Sequence, residues 1–141
     1  MQAFATLLHD HPLVFFHLVT AFGALVLGIV ILTRRKGTFD HRLFGWAWVG
    51  LMGATTLASA CLRSTTMPNI DGITPIHLFT ATVAVLLPRA IWQARQGNIV
   101  GHRKTMKGLF IGGCVLAGVF TLLPSRFLGG LLLQQMQAVM A

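Results

Sequence analysis

The six histidines are the residues of this chain best equipped for chemistry, and four of them fall into two matched sets. His17 and His41 are separated by 24 residues, His77 and His102 by 25. An imidazole inside or at the end of an apolar helix is costly unless it is hydrogen-bonded or ligated. Counted as helix, the stretch from His17 to Thr33 is 16 residues, or about 24 Å long. His17 and His77 therefore pair near one end of such helices, and His41 and His102 near the other. Paired imidazoles from facing helices are a way to hold a low-spin haem b with both axial positions filled, which suits electron transfer. One or two haems would be accommodated. Four residues after the histidines, on the same helix faces, stand Ala21, Gly45, Ala81 and Met106, three of them small enough to leave room for a flat ligand. Arg42, Arg103 and Arg89 lie near the inner pair and Arg63 near the outer one, where they could neutralise propionates. A site for another metal, held by the same histidines, is the alternative. Zinc is disfavoured because no carboxylate or thiolate stands near either pair. His9 and His11 flank Asp10 and read as solvated side chains, or at most a weak external metal site.

The elements that must carry these residues are set by composition. Of the 141 residues, 55% are hydrophobic and only 10% charged, against about 25% charged in a soluble domain. Four apolar stretches, 13–33, 43–62, 74–93 and 105–123, are long enough as helices to cross about 30 Å of hydrocarbon. The expectation is an all-α, single-domain integral membrane four-helix bundle, with residues 125–141 as a short interfacial helix after Pro124. Nine of the eleven Lys and Arg cluster on one side: Arg34, Arg35, Lys36 and Arg42, then Arg89, Arg95, Arg103, Lys104 and Lys107. That asymmetry marks the cytoplasmic side of a bacterial inner membrane and puts both termini outside. It also explains the net charge of +8 without a nucleic-acid surface. No cleaved signal peptide is expected, since the first twelve residues contain no Lys or Arg. No phosphate-binding loop or nucleophile motif is present, so no catalytic residue is assigned.

The halves repeat. His17 aligns with His77, Arg35-Lys36-Gly37 with Arg95-Gln96-Gly97, and His41-Arg42 with His102-Arg103. Each half is a helical hairpin with a basic glycine turn at its inner end. Asp10 and Pro12 suit the start of the first helix, and Asp40 could cap the second. Trp46, Trp48 and Trp92 read as an interfacial belt. Gly45, Gly50 and Gly53, with Gly108, Gly112, Gly113 and Gly118, suggest close helix approach. Pro88 should kink the third helix. Cys61 and Cys114 read as small packing residues.

The His17 helix, the Arg-Lys-Gly turn with His41-Arg42 and Gly45, the His77 helix and His102-Arg103-x-x-Met106 together resemble the bacterial membrane family called domain of unknown function 2306, DUF2306. The resemblance runs over about 13–123. More distantly, the order of histidines resembles the four-helix core of the di-haem cytochrome b-561 type. That likeness implies His17 with His77 on one haem and His41 with His102 on the other, and a transmembrane electron-transfer oxidoreductase passing electrons to or from quinone or another small redox partner. The chain departs from the six-helix members in lacking flanking helices. Two rivals stand beside it: a cofactor-free accessory subunit whose glycine-rich helices pack on partner helices or on a second copy, and, more weakly, a transporter using Thr55, Thr56, Ser59, Thr80 and Thr82.

Overall fold

The computed structural model describes residues 9, 11–62, 75–121, 129, 130, 133, 136 and 137. These residues are helical apart from turns, and no strand occurs among them. Helix α1 spans Pro12–Thr33, with proline at its first position as the sequence suggests, though no side chain caps it. Helix α2 spans Phe39–Cys61 and starts four residues earlier than expected. Its cap is Thr38, whose hydroxyl accepts the His41 N–H at 3.2 Å, so Asp40 sits in the first turn instead of capping it. Helix α3 spans Pro75–Arg95 and passes through Pro88 as one helix. Helix α4, Ile99–Leu109, starts six residues earlier than expected because Asn98 caps it, its side chain accepting the Gly101 N–H at 2.9 Å. The earlier starts have one consequence for the site: His41 and His102 lie in opening turns of helices, not ahead of them. A π-helical segment, Phe110–Leu116, follows, and then the short α5, Ala117–Thr121. The anticipated spans of Arg63, the loop to residue 73 and nearly all of the 125–141 tail lie outside the described residues, as does Asp10.

Both basic turns pass through a glycine at positive φ, 85° at Gly37 and 74° at Gly97, a conformation glycine enters without steric cost. Helix α1 packs on α2, α2 on α3, and α3 on α4, while the π-helical segment also packs on α1. The closest approach is at Gly28, where an added Cβ would lie 2.5 Å from the Phe110 ring and 2.9 Å from Trp48 Nε1. Around it lies a core of Ala24, Trp48, Met52, Val83, Leu87, Ala90, Leu109 and Cys114. Trp48 is thus buried, its Nε1–H donated to Ala24 O at 2.9 Å, whereas Trp46 and Trp92 are exposed as a belt requires. Polar satisfaction explains the difference: an indole can be enclosed when its N–H finds a carbonyl.

Large apolar side chains point outward. Phe22, Leu57, Leu78 and Val85 are each more than 65% exposed. Outward-facing side chains of this size are unsuited to water and natural in lipid. Helices α1 and α2 are long and apolar enough to cross a membrane; the described parts of α3 and α4 fall short of that measure. The expected glycine packing is only partly met. Gly113 meets Met52 Cε at 3.0 Å, but Gly45, Gly50, Gly53, Gly108, Gly112 and Gly118 face open space, and the tightest glycine, Gly28, is on α1. Cys114 is buried with its Sγ 3.5 Å from Met52 Sδ, whereas Cys61 is exposed instead of packed.

Candidate functional site

At the end of the bundle away from the basic turns, α2 links the two helices that carry His17 and His77. His17 Nδ1 is 3.2 Å from the Thr55 carbonyl oxygen on α2. One turn further along α2, Ser59 Oγ is 2.9 Å from Thr80 Oγ1 on α3. Thr80 is three residues beyond His77 on the same helix face, so both histidines border one polar layer. This layer contains a signal that the spacing of histidines alone misses. His17-Leu18-Val19-Thr20-Ala21 and His77-Leu78-Phe79-Thr80-Ala81 differ at one position in five. The two threonines are used differently: buried Thr20 donates back to Phe16 O at 2.9 Å and lies 3.0 Å from His17 O, while Thr80 reaches across to α2. Ala21 is half-buried and Ala81 exposed.

At the end with the basic turns, His102 Nδ1 is 2.9 Å from the carbonyl oxygen of Ala90, a fully buried residue of α3. His41 is half-buried, and its Nδ1 is enclosed with no hydrogen-bond partner among the described residues. His102 and Lys36 both act electrostatically on the His41 ring. The repeat explains why one imidazole is anchored and the other is not. The offset between α1 and α3 is 77 − 17 = 60 residues, which makes Val30 the counterpart of Ala90 and Thr33 that of Gln93. Thr33 Oγ1 donates to Val30 O at 2.8 Å, and the Arg34 N–H adds a second bond at 3.2 Å. Gln93 instead sends its side chain to α4, where Oε1 accepts from Thr105 at 2.9 Å, leaving Ala90 O open to His102.

Where His17 and His102 donate Nδ1–H to a carbonyl, Nε2 keeps a lone pair free, the tautomer that binds metal. Gly45 adds space near His41, since nothing lies within 4 Å of where its Cβ would be. Arg42 and Arg103 are exposed next to the inner pair, and Arg89 is exposed on α3. Arg34 instead stacks over the Phe44 ring at 5.8 Å. Among the described residues no three of His, Cys, Asp and Glu gather into one metal-binding cluster. His9 and His11 are exposed, and Arg63 lies outside the described residues. A separate apolar groove of about 180 Å³ runs between α3 and α4, lined by Phe79, Thr82, Leu86, Gly108 and Gly112 among others, and contains none of the histidines.

A family profile described as "Predicted membrane protein (DUF2306)" matches residues 14–140. No curated protein and no solved structure matches the chain.

Proposed function

We propose that this chain, which belongs to the DUF2306 family of predicted membrane proteins, is a haem b-binding protein that moves electrons within or across a bacterial inner membrane. Its four helices span the bilayer as two repeated hairpins, basic turns in the cytoplasm and termini outside, which the clustering of Arg and Lys supports. The observation that carries the reading is the anchoring of one histidine in each repeat pair to a carbonyl of its neighbouring helix, His17 to Thr55 and His102 to Ala90. Each anchor fixes a ring with Nε2 available. At the inner pair, His41 Nδ1 is enclosed with no hydrogen-bond partner among the described residues, which supports a role for that ring beyond packing. On this reading the histidine pairs would hold a bis-imidazole group, which when bound supplies one-electron transfer with no open coordination position. The chain's part is to orient the rings, to offset propionate charge through Arg42 and Arg103, and to exclude water from the core around Trp48 and Leu109. The histidine order of the cytochrome b-561 type points the same way, and quinone or another small redox molecule would be the exchange partner.

A dithionite-reduced minus oxidised visible spectrum of the detergent-purified protein, with haem measured per chain, is the test. Two haems support both pairs; one haem lost in His102→Ala but kept in His77→Ala supports the inner site alone. A colourless protein after expression with ample haem refutes the reading. The open faces of Gly45, Gly50 and Gly53 favour one rival, an accessory subunit receiving partner helices. Co-purification of a defined complex with a colourless chain would establish it.

A further inference from the structure

The second hairpin carries cations at a depth where the first carries apolar residues. By the repeat offsets of 60 and 61, Arg89, Lys104 and Lys107 stand where Ile29, Leu43 and Trp46 stand in the first hairpin. All six are exposed. Orientation in the membrane does not call for these three, because Arg34, Arg35, Lys36, Arg42, Arg95 and Arg103 already supply cations to both cytoplasmic ends. A cation one or two turns inside a helix must reach out to headgroups or find an anion, and this chain has three acidic residues in all.

The α3–α4 groove leads to these cations. Its walls include Thr82 and Leu86 on α3, Gly108 on α4 and Gly112 on the π-helical segment that follows. Arg89 continues the α3 wall three residues after Leu86, and Lys104 continues the α4 wall four residues before Gly108, so each shares the groove's face of its helix. The missing side chains at Gly108 and Gly112 keep the groove open, with nothing within 4 Å of either Cβ position.

We infer that this groove is a binding site for an anionic phospholipid, an acyl chain lying along Gly108 and Gly112 and the headgroup phosphate held by Arg89 and Lys104. The two ends match a lipid in both polarity and order, apolar toward the membrane interior and cationic toward the cytoplasm. A second copy of the chain would place its own helix in the groove and leave the two cations without an anion. The groove lining contains none of the histidines, and the inference does not require haem.

Full-length protein in nanodiscs of phosphatidylcholine with graded phosphatidylglycerol, read by native mass spectrometry for retained lipid, tests it. Arg89→Gln and Lys104→Gln should each weaken phosphatidylglycerol retention roughly fivefold, and together roughly 25-fold. Gly112→Leu, filling the groove with the cations intact, should also lower it, while Arg35→Gln at the other hairpin's turn should change retention by less than about twofold. Equal retention in the wild type and the Arg89→Gln/Lys104→Gln variant overturns the inference. So does conversion of a dimer to a monomer by Gly112→Leu with lipid retention unchanged.

Discussion

Gly28→Ala is the substitution that tests most sharply whether the first and fourth helices close on each other. The new methyl carbon would lie 2.5 Å from two carbons of the Phe110 ring and 2.9 Å from Trp48 Nε1. Ordinary contact between such carbons begins near 3.5 Å, so the ring must retreat by about 1 Å. Retreat is blocked on one side by Trp48, which is 3% exposed and tied to Ala24 O. Overpacking of this kind costs about 1–3 kcal/mol. Displacing the indole adds about 1 kcal/mol for the weakened hydrogen bond, which the better helix propensity of alanine offsets by a similar amount. The net loss should be about 1–3 kcal/mol. Gly50→Ala is the control, because nothing lies within 4 Å of its Cβ position and it should be neutral or mildly stabilising.

The assay is reversible unfolding of the detergent-solubilised protein by added SDS, followed by circular dichroism. Phe110→Leu, made in the Gly28→Ala background, should recover at least half of the loss, because these two positions touch and their effects cannot be additive. If Gly28→Ala and Gly50→Ala unfold within about 0.5 kcal/mol of one another, the packing of α1 on the π-helical segment is wrong. The ring order of the helices would then have to be abandoned with it.

A membrane-impermeant maleimide applied outside intact cells should label exposed Cys61, and buried Cys114 should react only after SDS unfolding; labelling of Cys61 solely in inverted vesicles would reverse the topology. Gly97→Ala should destabilise by about 1 kcal/mol through its φ of 74°, since the Cβ itself meets nothing within 4 Å, and Gly97→Asn should cost less; equal stability of all three in SDS unfolding would contradict the turn. Trp48→Phe removes the donor to Ala24 O and should lower stability by about 1 kcal/mol in the same assay. Thr33→Val releases Val30 O from the threonine hydroxyl at 2.8 Å and should let His41 donate Nδ1–H to it; ¹⁵N spectra of the imidazole with an unchanged tautomer would refute that account.

The sequence reveals the helices, their rough bounds and the inner clustering of cations, because each rests on a local property: apolar length or charge. Helix starts were legible less well. Asp40 is a reasonable cap by type, yet Thr38 takes the role, and Asn98 extends α4 back through His102, since cap choice depends on the geometry of the preceding turn. The burial of Trp48 could not be read from the chain, because it depends on Ala24 offering a carbonyl from another helix. The glycines of α2 and α4 misled for a related reason. Small size permits close approach, but which face turns toward a neighbour is decided by the whole bundle, and six of the seven face outward. The histidine pairing was legible as spacing, whereas the anchoring carbonyls of Thr55 and Ala90 carry no side-chain signature at all.

The repeat is also where the two halves have to differ. Met52 and Gly113 are counterparts at the offset of 61, and they meet each other, Met52 Cε lying 3.0 Å from the Gly113 Cβ position. Two identical residues could not share that point: two methionines would overfill it and two glycines would leave a hole. A large residue in one hairpin therefore requires a small one in the other. Once the core is asymmetric, hydrogen bonding follows. Thr33 turns back on Val30, while Gln93 reaches Thr105 on α4. The carbonyl that Gln93 leaves open is the one that holds His102, and the one that Thr33 occupies is the one His41 lacks. The difference between the two inner histidines is thus a property of the second hairpin's side-chain lengths. An exact duplication of either half would give two anchored imidazoles or two unanchored ones.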